Sequence, residues 1–303
     1  MDAVTAFAKI SEFMAAHARL LDRRRFELCF GGGAPEAVLT ALAAYRNVDG
    51  GYGAGLEPDL RSSSSQPVSA LHAFEVFEDL APVTAPEASL LCDWLGSITL
   101  PGGGLPFGLP IPDPAGCAPF FLDVDPTESS LHMTSMLAAI AHRVGRHDKA
   151  VRDHEWLAAA TEYSLRRIRD VDGPGHALEF RYALQLLDTV HDSAPGAAAE
   201  LRRLGGFIPA SGSMAVEGGV EGEAMNPLDF APEPGRPIRE LFSGAAIDAE
   251  LDRLLAAQQD DFGWTVDWGS FSAAGAFEWR GWATVRAYKI LRANGQLGGA
   301  VRR

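Results

Sequence analysis

The chain has 303 residues, 47% of them hydrophobic and 22% charged, which is the profile of a globular protein with a sizeable core. Asp and Glu outnumber Lys and Arg by 40 to 26, and a net charge of -14 repels nucleic acid and anionic membrane, so neither is expected as a partner. The three cysteines, Cys29, Cys92 and Cys117, are odd in number and scattered, which argues against a disulfide framework or a zinc site and for a reducing compartment. The opening stretch MDAVTAFAKISEF has no basic start followed by an apolar run, so no secretory leader is expected. No apolar stretch is long enough to span a bilayer, and the expected location is cytoplasmic with no integral membrane segment.

Helical periodicity runs through 3–25, 35–46, 66–80, 86–97, 131–144, 150–169, 177–191, 194–204, 247–258 and 280–293, giving roughly ten helices. No segment alternates persuasively as a strand. Residues 66–80 set Val68, Leu71, Phe74 and Phe77 on one side and His72, Glu75 and Asp79 on the other. Residues 131–144 carry the stripe Met133, Met136, Leu137, Ile140 and Val144, and 177–191 carry Phe180, Ala183, Leu184 and Leu187. Two connections are long. Residues 99–126 are rich in Pro and Gly yet apolar, which suits a pocket lining, whereas 205–237 are Gly/Pro-rich and acidic, a lid or a mobile insertion. No linker or charge block divides the chain, so 1–303 reads as one domain.

Three connections share a character. YRNVDGGYGAG, SITLPGGGLPFG and AAQQDDFGWTVDW each leave a helix, turn through Gly and present an aromatic: Tyr52, Phe107 and Trp264. They suggest a repeated helix–turn–helix unit of about 40–50 residues. Such units bury their apolar faces only by stacking, as an open solenoid or a closed ring. The long loops at recurring positions favour an all-α closed toroid of helical hairpins with the loops at one mouth.

The turns NVDGGYG (47–53) and QQDDFGW (258–264) resemble those of the terpenoid cyclase and protein prenyltransferase superfamily, whose domains are α/α toroids. The stretch GGGLPF (102–107) followed by DVDPTESSLHMTSML is similar to the acid motif of class II terpene cyclases. Asp123 and Asp125 match its first two aspartates and Thr127 its threonine, while Pro126 stands where the third aspartate belongs. The resemblance implies that Asp125 is a proton donor to an apolar, isoprenoid-like small molecule and that Asp123 tunes it. No cofactor is implied, although a diphosphate substrate would bring Mg²⁺. The zinc site of the prenyltransferases is not matched, because no Asp-x-Cys precedes a suitably placed His.

The residues also allow plainer readings. Asp125-Pro126-Thr127-Glu128 is a good helix start, with Asp as N-cap, Pro at the first position and Glu at the third. Four of the six tryptophans fall between 262 and 282; Trp268, Phe271 and Trp279 belong to an irregular stretch and are candidates to line a cavity, whereas Trp264 and Trp282 suit packing. Glu57, Asp59 and Arg61, with Glu278 and Arg280, occupy equivalent places just before helices. They form either a polar rim that grips a head group or ion pairs between repeats. Phe107 in the apolar loop and His132, soon after the acid motif, complete the candidate substrate-binding set, and no paired metal-ligand spacing is present among the eight histidines. Three functions stay open: acid-initiated terpenoid-cyclase-like chemistry, an apolar-ligand-binding toroid without chemistry, and a toroidal hydrolase or lyase acting on sugars with Glu57, Asp59 and Glu278.

Overall fold

Helices carry nearly all the regular structure in the computed structural model, which describes residues 3–297. Residues 1–2 and 298–303 of the expected domain lie outside the described residues. The helices are α1 (Ala3–His17), α2 (Leu20–Phe26), α3 (Pro35–Ala43), α4 (Pro67–Asp79), α5 (Pro86–Ser97), α6 (Leu131–Val144), α7 (Lys149–Arg152), α8 (Glu155–Arg169), α9 (Ala177–Thr189), α10 (Ala197–Gly205), α11 (Pro227–Phe230), α12 (Gly244–Ala256) and α13 (Ala273–Ala293). Between α10 and α11 lies a short antiparallel pair, β1 (Met214–Ala215) with β2 (Ala224–Met225). Among the described residues no helix is long and apolar enough to cross a membrane.

Local chemistry explains many of the starts. Pro35, Pro67 and Pro86 open α3, α4 and α5, where the missing N–H has no intrahelical partner to lose. Ser130, Ser243 and Ser272 cap α6, α12 and α13 by accepting from Met133, Ala246 and Gly275. The stretches expected as single helices over 3–25 and 150–169 are each two helices. In the second, the His154 ring accepts from the Trp156 N–H and starts α8. In the first, Arg19 breaks the run: its guanidinium bonds Asp22 and the carbonyls of Gly55 and Leu56.

Packing follows chain order. Helix α3 meets α2 and α4, and α6 meets α4, α8 and α9. Beyond them α11 meets α9 and α12, and α13 meets α12, α1 and α2. One continuous buried cluster runs from Ile10 to Leu291.

The repeated turns are real and have one geometry. The N–H of Asn47, Leu100 and Gln259 donates to the carbonyl four residues on, of Gly51, Gly104 and Gly263, at 2.9, 2.8 and 2.9 Å. The next residue is buried each time: Tyr52, Leu105 and Trp264. Leu105, not Phe107, is therefore the equivalent of Tyr52 and Trp264, because the register is set by the backbone turn and not by the nearest aromatic. The Leu105 and Trp264 N–H groups both donate to a helix threonine, Thr134 at 2.9 Å and Thr284 at 3.0 Å. A Cβ on Gly51, Gly104 or Gly263 would come within 2.6, 2.6 and 2.4 Å of Trp94, Tyr163 and Phe13 respectively, so each turn lies flush on an aromatic ring and only glycine fits.

Candidate functional site

Helices α2, α4, α6, α9 and α13 turn side chains into a cavity of about 1150 Å³. Segments around 57–59, 107–121, 216–225, 230–238 and 268–271 also contribute. One wall is apolar and comes from Leu71, Phe107, Phe121, Met133, Met136 and Ile140. The rim is where the two expected loops meet: Phe120 and Phe271 touch edge to face at 5.6 Å, and both are exposed.

Other lining residues are aromatic and charged. Trp268, Trp279 and Trp282 pack on one another with centroids 5.1, 5.2 and 6.0 Å apart. His72 packs edgewise against Trp279 and Trp282 at 5.8 and 6.1 Å. Its Nε2 lies 2.8 Å from Glu57 Oε2 and its Nδ1 3.2 Å from Glu75 Oε2. Burial alone lowers the His72 pKa, but Glu75 and Glu57 outweigh it and hold the ring as an imidazolium, with a pKa of about 9. Burial works against the Glu75 charge too; Arg25, His72 and the Trp282 indole N–H (2.9 Å) overcome it and carry its pKa well below the carboxylate range. Arg25 bridges Glu75 at 3.1 Å and Asp79 at 2.9 Å, and Lys289 also pairs with Asp79.

The expected division of α4 holds only in part, since Val68 and Leu71 line the cavity together with His72 and Glu75. The other faces of α4 pack on α3, α5 and α6, so its polar stripe turns inward to the cavity. Phe74 and Phe77 go into the core instead.

Of the residues expected at the site, Glu57, Asp59, Phe107, His132, Trp268, Phe271 and Trp279 line the cavity. Asp59 accepts from the Ser270 hydroxyl (2.7 Å), the Phe271 N–H (3.1 Å) and the Trp279 indole (2.7 Å), so it ties loop 268–272 to α13. Trp279 lies on α13, not in an irregular stretch, because that helix begins seven residues before the expected 280. Arg61 and Glu278 lie outside the cavity lining and pair with each other at 2.5 Å. Arg280 lies in a separate surface cleft, held bidentately by Asp261 at 2.7 and 2.8 Å and stacked on Phe13. Neither guanidinium is left to grip a head group.

The acid motif is elsewhere as well. Asp123 and Asp125 are exposed and neither lines the cavity. Asp125 does not cap a helix: α6 starts at Leu131, and Ser130 is its cap. Asp125 instead closes a small turn, accepting from the Thr127 hydroxyl (2.6 Å) and N–H (2.8 Å). Those bonds favour its charged form and lower its pKa, the wrong direction for a proton donor.

Sequence reasoning missed Glu75, Trp282, Arg181 and Tyr182, all of which line the cavity. The available signal was charge at helical spacing beside apolar positions on α4 and α9, which read equally well as a solvated face. Among the described residues no group of three or more His, Cys, Asp or Glu is arranged to hold a metal ion. Neither a family model nor a curated protein sequence matches the chain.

Proposed function

We propose that the chain is a closed α/α toroid that binds a small molecule with an apolar body in its central cavity. Contact of α13 with α1 and α2, together with the three superimposable Gly turns, supports ring closure. The observation that carries the function is one cavity lined both by apolar side chains, Met133, Met136 and Ile140, and by the mutually packed Trp268–Trp279–Trp282 cluster. Apolar ligands are held by such walls through area removed from water, and the volume is at the upper end of ordinary ligand sites, about 300–1,000 Å³. Acid-initiated cyclisation through Asp125 is not part of this proposal, since its carboxylate is exposed and deprotonated. The sugar reading is the weaker one. Asp59 is engaged by three donors, Glu57 is engaged by the His72 ring and the Asp59 N–H, and Glu278 lies outside the cavity.

The test is titration of the protein with farnesol and with cellobiose, followed by intrinsic tryptophan fluorescence. Farnesol is expected to give a saturable change, and Trp268→Ala to weaken it by about tenfold, the scale of an aromatic anchor. Asp125→Asn is expected to bind like the wild type. Saturable binding of cellobiose but not farnesol would replace this reading with the sugar one, and unchanged affinity in Trp268→Ala would remove the aromatic wall from the site.

A further inference from the structure

Most cations that reach the cavity are already neutralised. Arg25, Arg143, Arg236, Arg286 and Lys289 each pair with a carboxylate. Arg146 is exposed. Arg181 differs from all of them. It lines the cavity from α9, yet among the described residues it forms no ion pair, not even with Glu179 or Glu217 of the same lining. Its Nε is buried without a hydrogen-bond partner, and its only side-chain bond is a weak one to the Met225 sulfur at 3.8 Å.

Two more polar side chains adjoin it. The Arg181 guanidinium lies over the Tyr182 ring at 4.9 Å, and the His132 ring stacks with Tyr182 at 5.0 Å and 24°. Among the described residues neither the half-buried Tyr182 hydroxyl nor the half-buried His132 ring has a hydrogen-bond partner, whereas the buried Arg181 Nε is a donor left without an acceptor, which costs stability. Burial, then His176 and Arg181, push the His132 pKa down to about 3, so the ring beside Tyr182 is neutral.

We propose that Arg181, with Tyr182 and His132 beside it, binds the carboxylate of an amphipathic monocarboxylic acid whose apolar body fills the cavity. This rests on the cavity-binding reading above and names the class of ligand. A guanidinium presents two parallel N–H groups to a carboxylate, and a charge-assisted pair of this kind is among the stronger hydrogen bonds. One cation matches one anionic charge. A phosphate ester, carrying about -1.5 to -2 near pH 7, would be left undercompensated.

The matched probes are farnesol, farnesoic acid and farnesyl monophosphate, titrated at pH 7.5 by tryptophan fluorescence. Farnesoic acid is expected to bind roughly tenfold or more tighter than farnesol, the scale of one charged hydrogen-bonded contact. Arg181→Gln is expected to abolish that preference, so that acid and alcohol bind alike, and Arg181→Lys to keep part of it. Farnesol binding in the variant itself reports that the cavity is intact; if Arg181→Gln does not fold, the wild-type preference among the three probes decides. Equal affinity for alcohol and acid, or tighter binding of the monophosphate than of the acid, would overturn the carboxylate assignment. Binding of none of the three would instead overturn the cavity-binding reading.

Discussion

His72 shows how far a single residue depends on its surroundings. A histidine in a helix read from sequence has an ordinary pKa near 6.5; here two carboxylates raise it to about 9. The folded state therefore holds the proton more tightly than the unfolded chain. The stabilisation is complete below about pH 6.5 and is lost as pH rises through about 9, on the order of 3 kcal/mol in all. Urea unfolding at pH 6, 7.5 and 9 is expected to show a midpoint that falls across this range. Glu57→Gln, which removes one of the two carboxylates, is expected to flatten that fall; a variant with the same slope as wild type would mean that His72 is not the responsible group. Asp125 is the opposite case. Its bonds stay within its own turn, so Asp125→Ala is expected to leave the unfolding midpoint unchanged. The pairs Arg61–Glu278 and Arg280–Asp261 join residues 217 and 19 positions apart, a choice of partner that local sequence does not contain.

At the scale of elements, the Gly turns were legible and the helix ends were not. Gly–aromatic spacing marks a turn because only glycine tolerates the ring beneath it. Gly104→Ala and Gly263→Ala push a Cβ into Tyr163 and Phe13, and each is expected to lower stability by about 1–3 kcal/mol, as overpacking does. Chemical denaturation of the two variants checks this, with Gly173→Ala as a control because a Cβ there meets nothing within 4 Å. Ser130→Ala is expected to cost about 1 kcal/mol through loss of the α6 cap. Helix α13 starts earlier than its sequence suggests because Gly275 looks like a breaker. The structure uses it for close approach to the Pro58 carbonyl, as it uses Gly281, farther along the helix, for close approach to Asp22 of α2.

For the whole molecule, α13 packs on α1, α2 and α12 while carrying Trp279 and Trp282. With one continuous core, neither half has a separate interior to retain when the other opens. Far-UV circular dichroism and tryptophan fluorescence are therefore expected to report one coincident unfolding transition in denaturant. Two separated transitions would divide the chain into independent units and contradict the single-domain expectation.

The amino-acid sequence by itself determined the helical class, the places of the Gly turns and the gathering of aromatics at 262–282, because each depends on neighbours within a few residues. Periodicity reports which faces of a helix differ, and the N-terminal prolines and the serine caps act within one turn. It does not report what lies opposite a polar face. Only the tertiary structure decided that His72 and Glu75 face a cavity, that Arg280 is consumed by Asp261, and that Asp125 stands outside while Arg181 is left without a counter-ion. Those outcomes are set by burial and by charges brought together from distant parts of the chain, and Coulomb interaction at 3–4 Å in a water-poor interior outweighs any local preference.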